Sequence, residues 1–141
     1  MKETHFLIDK SSFVRLTQSP ELRKEWEDAL DRGLVGVCAM AEAEILFSAR
    51  NMDNYTEMRR KLDQMFVWVM TPDRAFERLL EVQDTLADRG AHRSAGPVDL
   101  LLAAVAELQG LTVLHYDRDF ATVAEVTGQP VKWIAEPGSV A

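Results

Sequence analysis

Five short apolar runs, each followed by a helix-like or turn segment, constrain this chain more than any other feature. They are His5–Ile8 (HFLI), Leu34–Cys38 (LVGVC), Phe66–Val69 (FVWV), Leu111–His115 (LTVLH) and Val131–Ile134 (VKWI). Short apolar runs without polar alternation suit strands buried on both faces, and that burial belongs to parallel sheets. Parallel neighbours need a crossover, and the intervening segments read as helices.

Ser11 or Ser12 starts a short helix carrying Phe13, Val14 and Leu16. Ser19-Pro20-Glu21 sets a cap before a first-turn proline, with Leu22, Trp26 and Leu30 at helical spacing up to Gly33. Ala39 to Arg50 suits a helix packed tightly on a sheet, Asn51–Asn54 is a break, and Tyr55 to Gln64 is a more polar helix. Thr71-Pro72 opens a helix with Phe76, Leu79, Leu80 and Leu86 on one side, closed by Gly90. After the loop Ala91–Gly96, Pro97 begins a nearly all-apolar, hence buried, helix stopped by Gly110. Asp119 to Val126 is a last short helix. The chain is therefore expected to be a single α/β domain, a central parallel sheet of about five strands with helices on both faces, over residues 1–135, followed by a loose tail, 136–141.

At 141 residues such a domain buries enough apolar surface to stand without disulfides. The lone Cys38 has no partner and reads as a small buried strand residue in a reducing compartment. No leader-like segment and no run of 18 apolar residues is present, so a cytoplasmic protein without membrane contact is expected. The net charge of −7 opposes long-range attraction to nucleic acid, so a nucleic-acid substrate needs local help from a metal ion or nearby cations.

Acidic residues fall where strands end or helices begin. Asp9 ends the first apolar run, Glu44 follows the second by about one and a half helical turns, Asp99 lies in the first turn of the buried helix, and Asp117 and Asp119 follow the fourth run. In open parallel sheets the ligand crevice lies outside the carboxyl ends of the strands, where the topology switches direction. Taken singly, Asp99 is a first-turn acid favoured by the helix dipole and Asp119 a helix cap. Asp9 is harder to explain, because burying an unpartnered carboxylate costs several kcal/mol. Gathered together, the acids would raise one another's pKa unless a cation sat among them. Ligation by oxygen alone favours Mg²⁺ or Mn²⁺, and hydrolysis of a phosphodiester is the natural reaction for such a site.

The same residues carry a family resemblance. FLIDKSSFVRL resembles the opening of PIN-domain ribonucleases, where an Asp ending the first strand is followed two residues later by Ser or Thr. AEAEILFSAR resembles their second motif, and its register selects Glu44 over Glu42, which projects to nearly the opposite side of a helix. VDLLLAAVAELQGLTVLHYDRDF resembles the remaining two motifs, with Asp99 opening the helix and Asp117 after the strand. The similarity spans nearly the whole chain and is nearest to VapC-type toxins of toxin–antitoxin pairs.

That resemblance implies a metal-dependent endoribonuclease with catalytic Asp9, Glu44, Asp99 and Asp117. Asp9 and Asp99 are the implied central metal ligands, completed by Glu44 and by Asp117 or Asp119, with the Ser11 hydroxyl orienting Asp9 or a bound water. It implies a cognate antitoxin, an RNA substrate and a homodimer; the polar helices between Glu21 and Gln64 offer an arm for either protein partner. Two residues depart from the pattern: His115 replaces a frequent Thr or Ser and weakens the support expected for Asp117, and Lys10 adds a cation at the rim.

Arg93 and Arg118 are candidate substrate-phosphate contacts. Trp26, Trp68 and Trp133 are expected in or beside the core, Met40, Met52, Met58, Met65 and Met70 as gap-fillers or dimer-surface residues, and His5 and His115 as structural. The competing readings are a phosphoryl-transfer or phosphatase-like protein, disfavoured by Asp9-Lys10-Ser11 where Asp-x-Asp is wanted and by Lys132 lying within a strand, and a non-catalytic binding module of the same fold.

Overall fold

A computed structural model describes residues 3–140. The elements run β1 (Phe6–Ile8), α1 (Lys10–Gln18), α2 (Pro20–Asp31), β2 (Val35–Val37), α3 (Ala39–Phe47), α4 (Met52–Met65), β3 (Val67–Trp68), α5 (Ala75–Asp88), α6 (Pro97–Gln109), β4 (Thr112–His115), α7 (Asp119–Thr127) and β5 (Val131–Trp133). All strand pairs are parallel and their order is β3-β2-β1-β4-β5. Adjacent residues of a strand point to opposite faces, yet Leu7 and Ile8 on β1 and Val113 and Leu114 on β4 are all fully buried. Helices therefore cover both faces of the sheet at its centre, as the apolar runs of β1 and β4 required.

The sheet is anchored by α6. Pro97 sits in its first turn, Gly110 ends it in the left-handed conformation, and every residue from Leu100 to Ala106 is buried. A helix apolar on all sides needs neighbours on all sides, and α6 packs against α3, α5, α7, β1 and β4. The buried helix in turn fixes where its first turn, with Asp99, meets the sheet.

Several boundaries differ from those expected, each for a local reason. The helix after β1 starts at Lys10 because Asp9 itself caps it, ahead of either serine. Asn51 caps α4, so the helix begins at Met52 and the expected break shrinks to one short turn. Thr71-Pro72 does not open α5; the Pro72 carbonyl instead accepts from the Ala75 amide in a turn, and the helix begins at Ala75 without a side-chain cap. On this helix Ala75, Val82 and Leu86 face the core while Phe76 and Leu80, expected on the same side as Leu86, face outward. Trp68, expected near the core, is 55% exposed on the edge strand β3, whereas Trp26 packs edge-on against Phe6. Among the described residues no helix is long and apolar enough to cross a membrane.

Gly36 on β2 sits where the neighbouring chain approaches closely. A Cβ there would lie 2.4 Å from Val69 Cγ2 and 3.0 Å from the Val67 carbonyl oxygen, so β2 and β3 approach only because the position lacks a side chain. Gly36→Ala is expected to destabilise the protein by about 1–3 kcal/mol through overpacking. A urea midpoint unchanged from wild type would contradict this.

Candidate metal centre

The crevice forms where the sheet reverses direction. From β1 the chain moves to β2 on one side, while β4 lies on the other, with Ile8 registered beside Leu114. Asp9 follows the last residue of β1, and Tyr116 and Asp117 follow the last residue of β4. Both sets of residues leave the sheet at the same edge.

Two serines hold this edge together. Asp9 is 4% exposed, and its Oδ1 accepts from the Ser12 amide at 2.9 Å as the N-cap of α1. The Asp9 amide donates back to Ser12 Oγ at 3.2 Å, completing a reciprocal capping box. Ser12 Oγ donates across the sheet to the Leu114 carbonyl at 2.7 Å. Ser11 Oγ lies 2.8 Å from both Asp9 carboxylate oxygens and accepts from the Tyr116 amide at 2.8 Å. The carboxylate ending β1 is thus a helix cap as well as a member of the centre, and Ser11 joins it to the loop that carries Asp117.

His115 holds that loop from below. It is fully buried, packed against Phe120 and Trp133 with ring centroids at 5.2 and 5.0 Å. Burial pushes its pKa down to about 4, the nearby Asp117 opposing, so the ring is neutral at physiological pH. Its Nδ1 accepts the Asp117 amide at 3.1 Å, and the Asp117 carboxylate accepts the Asp119 amide at 3.0 Å. The residue expected to weaken support for Asp117 therefore holds its backbone.

Carboxylates converge on Asp99. Oxygens of Asp99, Asp117 and Asp119 lie within 4.8 Å of one another. The Asp99 carboxyl is pushed up to about 7, first by burial and then by the charges of Asp117, Asp9, Glu44 and Asp119. Glu44 is raised by burial and by Asp9, with Lys10 opposing. Asp119 is raised by burial and Asp117, and Asp9 by burial that outweighs its serine hydrogen bonds. All these shifts have one sign, set first by burial and, for Asp99, Glu44 and Asp119, added to by neighbouring carboxylates.

The structure brings together Asp9, Glu44, Asp99, Asp117 and Asp119, although Asp9 and Glu44 stand outside the tight trio. Glu42 turns away and lines a surface cavity with Tyr55, Arg59 and Trp68. Asp119 is not the cap of α7; Arg118 holds that position and Asp119 opens the helix. Arg93 and Arg118 are exposed and form no side-chain hydrogen bond or ion pair among the described residues.

The family model for the PIN domain matches residues 6–126. The chain belongs to the PIN-domain family. "Ribonuclease VapC2" of Mycobacterium tuberculosis is 47% identical over 131 residues, covering 92% of each chain. "Ribonuclease VapC21" of the same organism is 38% identical over 136 residues, covering 96% of this chain and 98% of that one. In fold, the chain is similar to a DNA-bound VapBC structure from Salmonella typhimurium, with a TM-score of 0.77 and 16% identity over 94% of this chain and all of that one. It is also similar to FitAcB from Neisseria gonorrhoeae, at a TM-score of 0.70 and 18% identity over 92% and 97% of the two chains. Membership of the PIN family sets aside the phosphoryl-transfer and phosphatase-like readings.

Within this PIN domain the donor set suits a hard divalent cation. The converging groups are all carboxylates, and the one nearby imidazole spends its Nδ1 on a backbone amide. Two features of the centre were missed from sequence. Ser12 was legible as the third residue after a capping Asp, the spacing of a capping box. The other is the C-terminal segment, expected as a loose tail, whose last residue, Ala141, lies outside the described residues. Glu136-Pro137-Gly138-Ser139 forms a turn closed by Ser139 N–H to Glu136 C=O at 2.9 Å, with Gly138 at φ +82°. The Tyr116 hydroxyl accepts the Gly138 amide at 2.7 Å and lies 3.2 Å from the Val140 carbonyl. The Arg15 guanidinium stacks 4.6 Å over the Tyr116 ring.

Two outcomes follow. Because the native Asp99 binds its proton more tightly than the unfolded chain does, metal-free protein loses stability as pH rises from about 4 to about 7. Asp99→Asn is expected to flatten that slope and, in chelator at neutral pH, to stabilise by about 1–2 kcal/mol, since solvent reaching the group screens it. Thermal melts across that range with no difference between variant and wild type would count against the electrostatic account. Tyr116→Phe keeps the stacked ring but removes the tail's partner, costing about 1 kcal/mol; faster hydrogen exchange at the Gly138 amide is the expected sign, and unchanged protection there would refute it.

Proposed function

We propose that this PIN-domain protein is a metal-dependent endoribonuclease, the toxin of a toxin–antitoxin pair, using Mg²⁺ or Mn²⁺ at the Asp99 cluster. The observation that carries the reading is the convergence of five carboxylates at the sheet's switch point, with Asp99 raised to about 7 by burial and its acidic neighbours. The ribonuclease names of relatives at 38% and 47% identity support the reaction class and the RNA substrate.

In this reading Asp99, Asp117 and Asp119 hold the cation, and Asp9 and Glu44 complete its surroundings directly or through water. When bound, the cation supplies Lewis acidity toward water and the phosphate oxygens and neutralises charge that develops on them. The chain's own contribution is to place groups. The Ser11 hydroxyl, 2.8 Å from either Asp9 oxygen, shares its one proton with the carboxylate and the Ser12 amide holds Oδ1, so that carboxylate meets its ligand without rotating. Glu44, half-buried and with its pKa raised by burial and by Asp9 against the opposing Lys10, adds a carboxylate to the cation's surroundings. His115 keeps the Asp117 amide turned inward and so the Asp117 carboxylate toward Asp99.

The cognate antitoxin is proposed to silence the enzyme by placing a cationic or aromatic tail in this pocket, an Arg among carboxylates standing in for the cation it excludes. Solved complexes whose fold this chain shares include toxin–antitoxin assemblies. A homodimer is proposed on the α3–α4–β3 side, where Phe47 is 90%, Met52 71% and Trp68 55% exposed around the shared neighbours Leu46 and Tyr55. Cytoplasmic action on RNA accords with this set of partners.

The test is cleavage of a panel of structured and unstructured RNAs with Mg²⁺ or Mn²⁺, with and without chelator. Wild type is expected to cut internally only with metal, and Asp9→Asn to lower the rate by about a hundredfold or more. Activity that survives chelation, or a fully active variant, would sink the mechanism.

A further inference from the structure

Next to the acidic centre, on the other side of the first turn of α1, lies a groove of about 250 Å³ between α1, α3 and α4. Three cations, Lys10, Arg50 and Lys61, line it, and no Asp or Glu does. In a chain of 23 acidic and 16 basic residues this is a local reversal of the field. None of the three cations forms a salt bridge among the described residues, unlike Arg32, Arg60 and Arg78, which pair with neighbours on the surface. Arg50 and Lys61 are exposed, and their charge is unspent.

The groove is continuous with the centre through Lys10. That residue lines the groove, immediately follows Asp9 in the chain, and lies near enough to Glu44 to oppose the rise of its pKa. The groove floor is apolar, with Val14 and Met58 half-buried there. Asn54, on the wall, accepts the Arg50 amide through its side-chain oxygen at 3.1 Å, which leaves the amide NH₂ for another partner.

Resting on the ribonuclease reading, we infer that this groove is the track for the single RNA strand flanking the scissile phosphate. Lys10, Arg50 and Lys61 meet successive phosphates, the floor receives ribose and base faces, and Asn54 donates to a base edge. An anionic polymer cannot approach five carboxylates from a uniformly acidic surface; a carboxylate-free wall bearing three unpaired cations gives it an approach. The arrangement places the substrate contacts on α1, on the turn between α3 and α4 and on α4, and neither Arg93 nor Arg118 lines the groove.

The experiment measures binding separately from cutting. Full-length protein in chelator is titrated with a fluorescein-labelled single-stranded RNA of about a dozen nucleotides, and anisotropy is followed across a range of salt. Arg50→Glu with Lys61→Glu is expected to weaken binding about tenfold or more and to shrink the slope of log K against log salt by about 1.4, two phosphates at about 0.7 each. Lys24→Glu, the same charge change on α2 outside the groove, is expected to leave both nearly unchanged. Equal losses in the Lys24 variant, or an unchanged slope in the double variant, would overturn the track. So would a double variant that binds RNA normally but no longer binds its partner protein, which would give the groove to that protein. If the double variant loses RNA binding while wild type cuts no RNA with Mn²⁺, the track stands as a binding surface and the nuclease reading falls instead.

Discussion

The rest of the molecule depends on two serine hydroxyls that tie the end of β1 to the end of β4. Ser12 Oγ donates to the Leu114 carbonyl while its amide donates to the Asp9 carboxylate, and Ser11 Oγ accepts the Tyr116 amide and donates to the Asp9 carboxylate. Without them the nearly fully buried Asp9 carboxylate would keep only its backbone donors, chiefly the Ser12 amide, and would be left under-satisfied. With them the same carboxylate caps α1, and the two central strands are locked in the register that sets Asp117 across from it. The switch point of an open sheet is commonly described as a gap; here it is a gap with a hydrogen-bonded hinge pin through its base.

Around that pin the fold sets electrostatic cost against apolar burial. Burial and mutual repulsion at one edge work against the metal-free fold, and the raised Asp99 and Glu44 record it. The opposing stabilisation lies directly behind the centre, where α6 buries seven consecutive residues from Leu100 to Ala106 against helices and strands on every side. A first-turn acid on a less deeply buried helix would relax outward into water. Asp99 is held against that tendency, because the seven buried residues that follow it leave the helix no room to rotate.

What could be read from the sequence followed from how local the cause was. Strand runs buried on both faces announce a parallel sheet by composition alone, and the Pro97 and Gly110 boundaries of α6 are set by backbone chemistry within one turn. Asp9, Glu44, Asp99 and Asp117 were picked out by order and position, and the structure does bring them to one edge together with Asp119. What escaped was decided by contacts distant in sequence. His115 looked like a lost hydroxyl, and only its burial between Phe120 and Trp133 makes it a neutral acceptor aimed at the Asp117 amide. Trp68 read as core until the sheet order placed β3 on the edge. The C-terminal turn is the exception, since Pro137-Gly138 was a legible turn signal; its attachment to Tyr116, twenty-two residues away at Gly138, was not.

One register choice at the start of α1 separates the two charge regimes of the surface. Because Asp9 is the cap and Lys10 the first helical residue, the carboxylate points back to β4 and the centre, while the next side chain, turned about a quarter of the helix away, enters the basic groove. Had the helix begun at Ser11 or Ser12, Asp9 would have lost its backbone donor, and Lys10 would have left the helix face that bears Phe13, Val14 and Thr17. The same hydrogen bond from the Ser12 amide thus fixes where negative charge gathers and where positive charge begins. An acidic protein handling an anionic chain needs both within a few residues of each other, and the capping box of α1 is what sets them there.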